Sequence, residues 1–465
     1  MNKTLHDIAD AQFEPMLRDL RASISIPSTL DEAAATKKDP FGPKVSAALE
    51  QFLACAASLG FETKNIENAA GWAEIGSGDT LVGILAHLDV VPVGDLSEWK
   101  YPPFAAEVAD GALWGRGVAD DKGPAFAALY ALKAASDAGV LNGKRFRVIV
   151  GGDEESGSRC MRRYKETEEI PAYSFSPDSS FPLINAEKGM AKVIFSKKII
   201  KEEEFADLPA LVSLAGGFRY NVVPDRAEAL FEGLFPEEEM RRISEMKNIE
   251  VRVEGAQTRV KAFGKTAHAM APHTGENALL TLFAAVGRLM WKPVEAKDFI
   301  CDMGFLFADT YGKEAGIAKS DELSGPLTWN AAIADVTPKY AELKVDIRYP
   351  VTVNWDELCA ELKNAAKRAD AELVVDIHSA PLFVDPKSPL VEKLLKAYKN
   401  VTGIEAQAES TGGGTYCRSI PNAVSFGPNF PGEPDLDHQP NEMMTLENLR
   451  KLLHLYAEAV ALLAE

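Results

Sequence analysis

The feature that most constrains the fold is a recurring pattern in which an apolar run ends on histidine or acidic side chains. Residues 81–86 form a continuous apolar run that leads directly into His87-Leu88-Asp89. Residues 145–150 lead into Asp153-Glu154-Glu155, and residues 173–176 lead into Asp178. Such runs predict buried strands of a parallel or mixed sheet. Each pattern alone also fits a hydrogen-bonded strand end or a solvated turn. Together they predict a site at the carboxyl ends of one sheet.

A glycine-rich stretch joins another predicted strand to a predicted helix over residues 124–139. It reads Gly115-Arg116-Gly117-Val118-Ala119-Asp120-Asp121-Lys122-Gly123, and Pro124 follows it in the first helical turn. Glycine allows the backbone to turn tightly, and proline is well tolerated where a helix begins. The stretch alone also fits a helix cap and a solvated turn. We predict that this strand belongs to the same sheet and brings Asp120 to the same edge.

Composition limits the classes of partner. The chain has 465 residues, enough for two or three domains, and a net charge of −19. A negative field argues against nucleic acid or an anionic membrane as the main partner. The five cysteines are scattered without a CxxC pair, as expected for a reducing cytosol. The N-terminus lacks the apolar core of a signal peptide, and no apolar run approaches the ~20 residues that span a bilayer. We therefore expect a soluble, cytoplasmic protein.

The candidate metal ligands outnumber those of a single zinc site. They are His87, Asp120, Glu155, Asp178 and His438. Five nitrogen and oxygen ligands exceed one tetrahedral zinc and suit two metals that share a carboxylate. Two ions about 3.5–4 Å apart can hold a bridging hydroxide and polarise a carbonyl, which leaves Glu154 for general base work. No Gly-x-Ser-x-Gly nucleophile motif is present, so this constellation predicts metal-dependent amide hydrolysis.

The hydrophobic pattern of the chain changes twice. Near residue 188 the buried strands give way to alternating, half-exposed patterns typical of an α+β domain, and near residue 381 helices and buried strands return. We predict a discontinuous catalytic domain over residues 1–187 and 381–465, with an inserted domain over residues 188–380. The glycine-rich loop that begins at Thr411 lacks the lysine of a phosphate-binding loop, so its N–H groups are better suited to a substrate carboxylate.

In their order along the chain, these motifs resemble the M20 family of di-zinc peptidases and deacylases. The resemblance rests on His87-x-Asp89, the Gly115–Gly123 stretch, Asp153-Glu154-Glu155, Pro177-Asp178, Gly264 with His268, and His438-Gln439-Pro440-Asn441-Glu442. It covers essentially the whole chain and is strongest for bacterial dipeptidases of the PepV and Xaa-His (carnosinase-like) group. It implies an α/β catalytic domain with a mixed central sheet of the zinc-peptidase type, plus an inserted, two-lobed α+β lid domain. It also implies two Zn²⁺ per chain, with Mn²⁺ or Co²⁺ as alternatives.

The resemblance also implies a role for individual residues in the metal site. Asp120 would bridge the two metals, His87 and Asp178 would complete one site, and Glu155 and His438 would complete the other. Asp89 would orient His87, and Glu154 would be the general base.

Further roles concern the substrate. His268 would stabilise the oxyanion, while Asn221 and Arg348 would hold the substrate, with Arg348 on its terminal carboxylate. Gly413, Gly414 and Thr415 would line the same end.

The length of the insertion bears on assembly and specificity. A two-lobed lid would let His268 act within its own chain, which favours a monomer, with a homodimer as the alternative. Such a lid would restrict the enzyme to short peptides, so the expected substrate is a dipeptide. An N-acyl-amino-acid deacylase of the desuccinylase or acetylornithine deacetylase type remains an alternative within the same chemistry. A metal- and peptide-binding protein without turnover is the alternative from another class.

Overall fold

The computed structural model describes residues 3–200, 207–434 and 436–465. The chain divides into two compact units. The first comprises Met1–Ala186, Phe383–Ser410 and Gly414–Glu465, and the second comprises Glu187–Leu382 and Thr411–Gly413. Within the described ranges, no helix is both long enough and apolar enough to cross a bilayer.

The described residues form helices and strands throughout both units. The α-helices are α1 Lys3–Ala11, α2 Phe13–Ile24, α3 Pro43–Ser58, α4 Lys122–Asp137, α5 Arg159–Thr167, α6 Glu237–Ser244, α7 Ala278–Val286, α8 Val294–Leu306, α9 Trp355–Arg368, α10 Pro389–Thr402 and α11 Leu446–Ala464. The strands are β1 Glu62–Ile66, β2 Ala70–Gly76, β3 Leu81–His87, β4 Glu107–Ala109, β5 Ala112–Trp114, β6 Arg145–Gly151, β7 Tyr173–Ser176, β8 Ser179–Ser180, β9 Ile184–Glu187, β10 Gly189–Lys198, β11 Ala210–Gly216, β12 Arg226–Glu232, β13 Ile249–Glu254, β14 Gln257–Phe263, β15 Ser320–Asp321, β16 Gly325–Pro326, β17 Thr328–Val336, β18 Tyr340–Tyr349, β19 Glu372–Ser379, β20 Leu382–Phe383, β21 Glu409–Thr411, β22 Ala423–Ser425, β23 Pro428–Asn429 and β24 Met443–Thr445.

The first unit is built on a mixed sheet with the order β1-β2-β6-β3-β7-β22-β9-β20, and β21 pairs with β9. Strands β6, β3, β7 and β22 are parallel neighbours, so their carboxyl ends lie at one edge of the sheet. All seven residues of β3 are buried, as the continuous apolar run predicted. Helix α4, rich in alanine, is buried along most of its length and packs against β3, β6 and α11. This unit therefore presents the ends of three predicted strands side by side.

The fourth strand of the predicted set does not belong to this sheet. The strand that precedes the Asp120 turn, β5, lies in a separate three-stranded sheet of order β24-β5-β4. It pairs antiparallel with β24, so that Trp114 lies opposite Met443. The expectation of four strand ends at one sheet edge is therefore wrong in this respect. The reason is that β5 has only three residues, and its partner comes from the far end of the chain.

The second unit is built on an antiparallel eight-stranded sheet of order β13-β14-β12-β11-β17-β18-β10-β19. Two four-stranded halves join where β11 pairs with β17, at Leu214–Gly216 and Ala334–Val336. Helix α7 contacts strands of the first half, helix α9 contacts β19 of the second, and their apolar sides share one core with the sheet. The predicted fold class, a mixed α/β sheet with an inserted α+β domain, is confirmed. The predicted lobes correspond to halves of one continuous sheet.

Candidate metal centre

Three strands of the first unit deliver the acidic and histidine side chains to one edge. His87 is the last residue of β3 and lies opposite Gly151, the last residue of the neighbouring β6. The acidic loop that contains Glu154 and Glu155 follows β6, and Asp178 follows β7 on the other side of β3. Because these strands are parallel neighbours, their following residues meet above the same sheet edge.

Asp120 lies between the two histidines. Its Oδ1 is 2.8 Å from His87 Nε2, and its Oδ2 is 3.1 Å from His438 Nε2. His438 Nε2 is also 3.1 Å from Glu155 Oε2, and His87 Nε2 is 3.8 Å from Asp178 Oδ2. The five side chains that the sequence proposed as metal ligands therefore form one continuous cluster.

Two sets of ligand atoms within this cluster are compact enough to hold a cation. One consists of His87, Asp120 and Glu155, the other of His87, Glu154 and Asp178, and in each set the atoms lie within 4.8 Å of one another. Glu154 is thus close enough to contribute a ligand atom to one candidate site, whereas the family resemblance implies that it is the general base. His438 joins the first set through its contacts with Asp120 and Glu155.

Asp89 contacts two parts of the cluster, each through a different group. Its backbone carbonyl oxygen lies 2.9 Å from His87 Nδ1, whereas its Oδ1 is 3.6 Å from that nitrogen, too long for a hydrogen bond. Its carboxylate instead accepts hydrogen bonds from the backbone N–H groups of Glu154 and Glu155, at 3.1 and 3.2 Å. A bond at Nδ1 fixes the orientation of the imidazole ring and leaves Nε2 for a metal.

Burial and mutual repulsion raise the pKa values of two acids at this centre, Glu154 and Glu155. Burial and the charge of Asp178 raise the pKa of Glu154 well above its ordinary value. Burial and the charge of Asp120 raise the pKa of Glu155 to about 7. In the part of the chain that the structure describes, Glu155 Oε1 is buried without a hydrogen-bond partner. Several carboxylates in one desolvated place repel one another, and a cation removes that repulsion.

The two histidines stabilise the charged form of the central carboxylate. Burial favours the neutral form of Asp120, but hydrogen bonds with His438 and His87 outweigh it and lower its pKa. Burial likewise lowers the pKa of His438, but its bonds to Asp120 and Glu155 outweigh that effect and raise its pKa to about 11. The donor set of nitrogen and carboxylate oxygen, with an unpartnered buried oxygen, therefore fits divalent cations such as zinc or manganese.

Sequence reasoning did not identify several buried ionisable side chains that hold these loops in place. Glu442 is fully buried and accepts hydrogen bonds from the backbone of the Asp120 turn. Asp121 is also fully buried, and its Oδ2 accepts a bond from the backbone N–H of His87 at 3.1 Å. Lys122 donates from Nζ to the carbonyl oxygens of Ser23 and Ile26, each at 2.8 Å. Glu442 and Asp121 stand inside motifs that the sequence singled out, but composition does not show that a charged residue is buried.

Asp153, the first of the three consecutive acids, has a structural role as the partner of Arg159. It is fully buried, and Arg159 donates to its two carboxylate oxygens from Nε and Nη2, both at 2.8 Å. The backbone N–H of Arg159 adds a third bond at 2.9 Å. This pair closes the loop that presents Glu154 and Glu155. Because Asp153 is adjacent to two candidate site acids, the sequence did not reveal its structural role.

The second unit brings its own predicted residues together. Val222 forms a bridge with His268, and the N–H of Ala269 donates to the carbonyl oxygen of Asn221 at 2.9 Å. Asn330 Nδ2 donates to the carbonyl oxygen of Val222 at 3.0 Å. The segments that carry Asn221 and His268 are therefore paired by their backbones.

Arg348 lies next to these segments in the same unit. Its Nε and Nη2 donate to the two oxygens of Asp346 at 2.6 and 3.1 Å, and its Nη1 donates to the Gly412 carbonyl at 3.0 Å. A Cβ on Gly412 would lie 2.9 Å from the Cβ of Met270, so glycine allows the loop to approach closely. Arg348 is paired with Thr328 across β17 and β18, and the Thr328 hydroxyl donates to the Met270 carbonyl at 3.2 Å.

The glycine-rich loop is divided between the two units. Gly413 belongs to the second unit, where its N–H donates to Thr411 Oγ1 at 3.1 Å. Gly414 and Thr415 belong to the first unit. A Cβ on Gly414 would lie 2.7 Å from Arg418 Nε, and Thr415 Oγ1 accepts the Cys417 N–H at 3.2 Å, which begins a short 3₁₀ turn.

Histidine and carboxylate side chains that cluster after the ends of adjacent parallel strands form a candidate cation site of the kind that metal-dependent hydrolases use. Residues 83–462 match Peptidase family M20/M25/M40, and the chain belongs to this family of metal-dependent peptidases.

Known relatives agree with that assignment over nearly the full length. The chain is 39% identical over 466 residues to the Bacillus subtilis (strain 168) protein named "Putative dipeptidase YtjP", covering 97% of this chain and 98% of that protein. An M20 family metallo-carboxypeptidase from Sulfolobus solfataricus has a similar fold, with a TM-score of 0.58, 17% identity and coverage of 97% and 99% of the two chains. Human carnosine dipeptidase 1 gives a TM-score of 0.57 at 15% identity, with coverage of 99% and 98%. At these identities the two structures support the fold alone.

Proposed function

We propose that this protein hydrolyses the peptide bond of dipeptides with the help of two divalent cations. The observation that supports this proposal best is the continuous cluster in which Asp120 contacts both His87 and His438. A carboxylate between two histidines, each with a further acid beside it, offers ligands for two cations that share one bridging group. In this proposal His87 and Asp178 complete one site, and Glu155 and His438 complete the other. Zn²⁺ is the expected metal, with Mn²⁺ or Co²⁺ as alternatives.

The chemistry that two bound cations supply is Lewis acidity, which polarises the scissile carbonyl and activates water for attack. The chain itself supplies the proton transfers. Glu154 accepts a proton from the attacking water at its carboxylate and returns it to the nitrogen of the leaving amine. The backbone N–H of Glu154 donates to Asp89 at 3.1 Å, so Asp89 fixes the peptide from which this side chain extends.

Substrate recognition is assigned to the second unit, which acts as the lid domain. Among the described contacts, Asp346 and Gly412 use three of the five guanidinium N–H groups of Arg348, and two are left to bind the terminal carboxylate of a substrate. Asn221 and His268 lie on segments that pair through their backbones, so the two residues are near neighbours in the same unit. His268 would stabilise the developing oxyanion, while Asn221 holds the substrate backbone. Gly413, Gly414 and Thr415 would offer hydrogen bonds to the same carboxylate end.

A dipeptide is the favoured substrate class because the relative at 39% identity, aligned over 98% of its length, is named a "Putative dipeptidase". The recognition of a carboxylate by Arg348 suits a short peptide but also suits an N-acyl amino acid. A deacylase is therefore the second candidate, favoured by the same arginine.

The experiment that tests this proposal is a substrate panel on metal-reconstituted protein. The panel contains L,L-dipeptides, an Xaa-His dipeptide, a tripeptide, and N-acetyl and N-succinyl amino acids, each tested with Zn²⁺, Mn²⁺ and Co²⁺. We expect hydrolysis of dipeptides and no hydrolysis of the tripeptide. Turnover of the acyl amino acids alone would transfer the assignment to the deacylases. Metal binding without hydrolysis of any compound in the panel would favour a binding protein.

A further inference from the structure

Glu442 is a buried carboxylate that gathers the backbone N–H groups of the Asp120 turn. Its Oε1 accepts from the N–H groups of Gly117, Ala119 and Asp120 at 3.0, 2.9 and 3.2 Å. Its Oε2 accepts from Arg116 Nη1 at 2.7 Å. Backbone N–H groups of one turn that converge on one anion form a concave anion-binding site. The conformation of the turn therefore depends on this carboxylate.

The same turn carries the central group of the metal centre. The side chain of Asp120 reaches both His87 and His438, so a shift of its backbone would displace the contact with both histidines. The N–H of Asp120 is itself one of the groups held by Glu442. The described hydrogen bonds of the Glu442 carboxylate are with backbone N–H groups and with Arg116, and none of them is with a candidate ligand atom. Any effect of Glu442 on the cations therefore passes through Asp120.

Glu442 also ties the Asp120 turn to the segment that carries His438. Only three residues separate His438 from Glu442, and β24 begins immediately after Glu442. Strand β24 pairs with β5, which leads into the turn, and the Gly115 N–H donates to the Glu442 carbonyl at 3.0 Å. The backbone and side chain of Glu442 thus link the two segments that carry the candidate ligands Asp120 and His438.

Arg116 offsets the charge of Glu442. Both side chains are almost fully buried, at 2% and 0% exposure, and a buried carboxylate without a cation would be costly. The guanidinium group also lies 5.2 Å from the centre of the Trp99 ring, a distance that suits a cation–π contact. The pair is therefore close to neutral and adds little net charge beside Asp120.

We propose that Glu442 and Arg116 are positioning residues that set the affinity of the centre for its cations, by holding the Asp120 turn against the His438 segment. This inference rests on the proposed function, since it requires that Asp120 and His438 bind metal. Neither residue touches the substrate or takes part in the proton transfers.

The test is to measure Zn²⁺ affinity of the Glu442→Gln variant by competition with a chromophoric chelator. The glutamine amide has the shape of the carboxylate but carries no negative charge, and its NH₂ group must face either Arg116 or the N–H groups of the turn, so one of these partners loses its acceptor. Losing a partner that orients a ligand typically weakens metal affinity by about 10- to 100-fold. We expect a loss of this size. We also expect that excess Zn²⁺ restores most of kcat with KM unchanged, because every ligand remains present.

Glu447→Gln is the matched control because Glu447 is exposed, lies in the first turn of α11 and pairs only with Lys451 among its described contacts. The control should bind Zn²⁺ like the wild type. Circular dichroism of the metal-free proteins checks that each variant folds. Wild-type affinity in folded Glu442→Gln would overturn the proposal, because cation binding would not depend on the Glu442 carboxylate. An equal loss in the control would overturn it as well.

Arg116→Lys decides the matter if Glu442→Gln does not fold. Lysine keeps the positive charge but replaces the planar guanidinium by a point charge on a flexible stem. We expect weaker Zn²⁺ binding with an unchanged fold, and wild-type affinity would overturn the inference. Failure of the proposed function would look different, because the wild-type protein itself would then bind no pair of cations or hydrolyse no dipeptide.

Discussion

Arg348 pairs with Asp346 and is proposed to bind the substrate carboxylate. The loss of each interaction can be measured separately. Its guanidinium group donates to both oxygens of Asp346 at 2.6 and 3.1 Å. Asp346 is fully buried, and Arg348 is 4% exposed. Truncation to alanine would leave a buried carboxylate without its cation, which typically costs about 3–5 kcal/mol, so we expect Arg348→Ala to lower the free energy of unfolding by that amount. Lysine at this position keeps the charge, and we expect a smaller loss. Urea denaturation of the metal-free proteins measures both.

Arg348→Lys then tests recognition of the substrate carboxylate. Hydrogen bonds between charged groups contribute about 1.5–3 kcal/mol, equivalent to roughly 10- to 150-fold in kcat/KM. The assay compares kcat/KM for an L,L-dipeptide and for the same dipeptide with a C-terminal amide. The wild type should prefer the free carboxylate by about this factor, and the variant should lose most of the preference. Arg252→Lys, at an exposed arginine of the same unit, is the control. A variant that keeps the wild-type preference would refute the role of Arg348.

Three further predictions concern the first unit. Asp89→Ala removes the acceptor of two backbone N–H groups in the acidic loop, so kcat for dipeptide hydrolysis should fall by about 10- to 100-fold, while unaltered turnover would contradict this role. Gly151→Ala would place a Cβ against Tyr416 Oη, so we expect urea denaturation to show a free energy of unfolding lower by about 1–3 kcal/mol. An unchanged free energy of unfolding would contradict the close packing at this position. Burial and His6 lower the pKa of His454 below 6.5, so the unfolded chain binds that proton more readily and stability falls as the pH drops below 6.5. Metal-free His454→Gln should lose less stability between pH 8 and pH 5.5 than the wild type, and an equal loss would exclude His454 as a source.

The sequence was most informative where local pattern and burial coincide. The run over residues 81–86 and the alanine-rich helix after Lys122 were predicted because a buried strand or helix is apolar over its whole length. The ends of β3, β6 and β7 were predicted to meet because each apolar run leads into histidine or acidic side chains, and a site at the carboxyl ends of one sheet explains that recurrence. Their proximity, with His87 opposite Gly151, follows from parallel pairing.

Long-range pairing set the limit of these predictions. Strand β5 is too short to show by its pattern that its partner is β24, more than 300 residues away in sequence. The two halves of the second sheet were expected as lobes, but only the register of β11 against β17 shows one continuous sheet. Periodicity reports which face of a strand is buried and carries no information about which strand lies beside it.

The roles of individual acidic residues could not be predicted from the sequence either. Asp153 and Glu154 are neighbours of similar chemistry, yet Asp153 is paired with Arg159 at 2.8 Å and Glu154 stands beside His87 and Asp178. Glu442 follows a metal-ligand candidate in a recognised motif, but its bonds to the Asp120 turn depend on folding of the whole unit. Such assignments require the three-dimensional contacts.

The most direct test of the central claim measures metal content and dipeptide hydrolysis together in the wild type and in Glu154→Gln. We expect two divalent cations per chain in both proteins, because Glu154 is assigned to proton transfer. We also expect kcat to fall by about 10²- to 10⁴-fold in the variant, the usual contribution of a general base. Two cations with undiminished turnover in the variant would contradict the role of Glu154. Fewer than two cations in the active wild-type protein would contradict the two-cation centre itself.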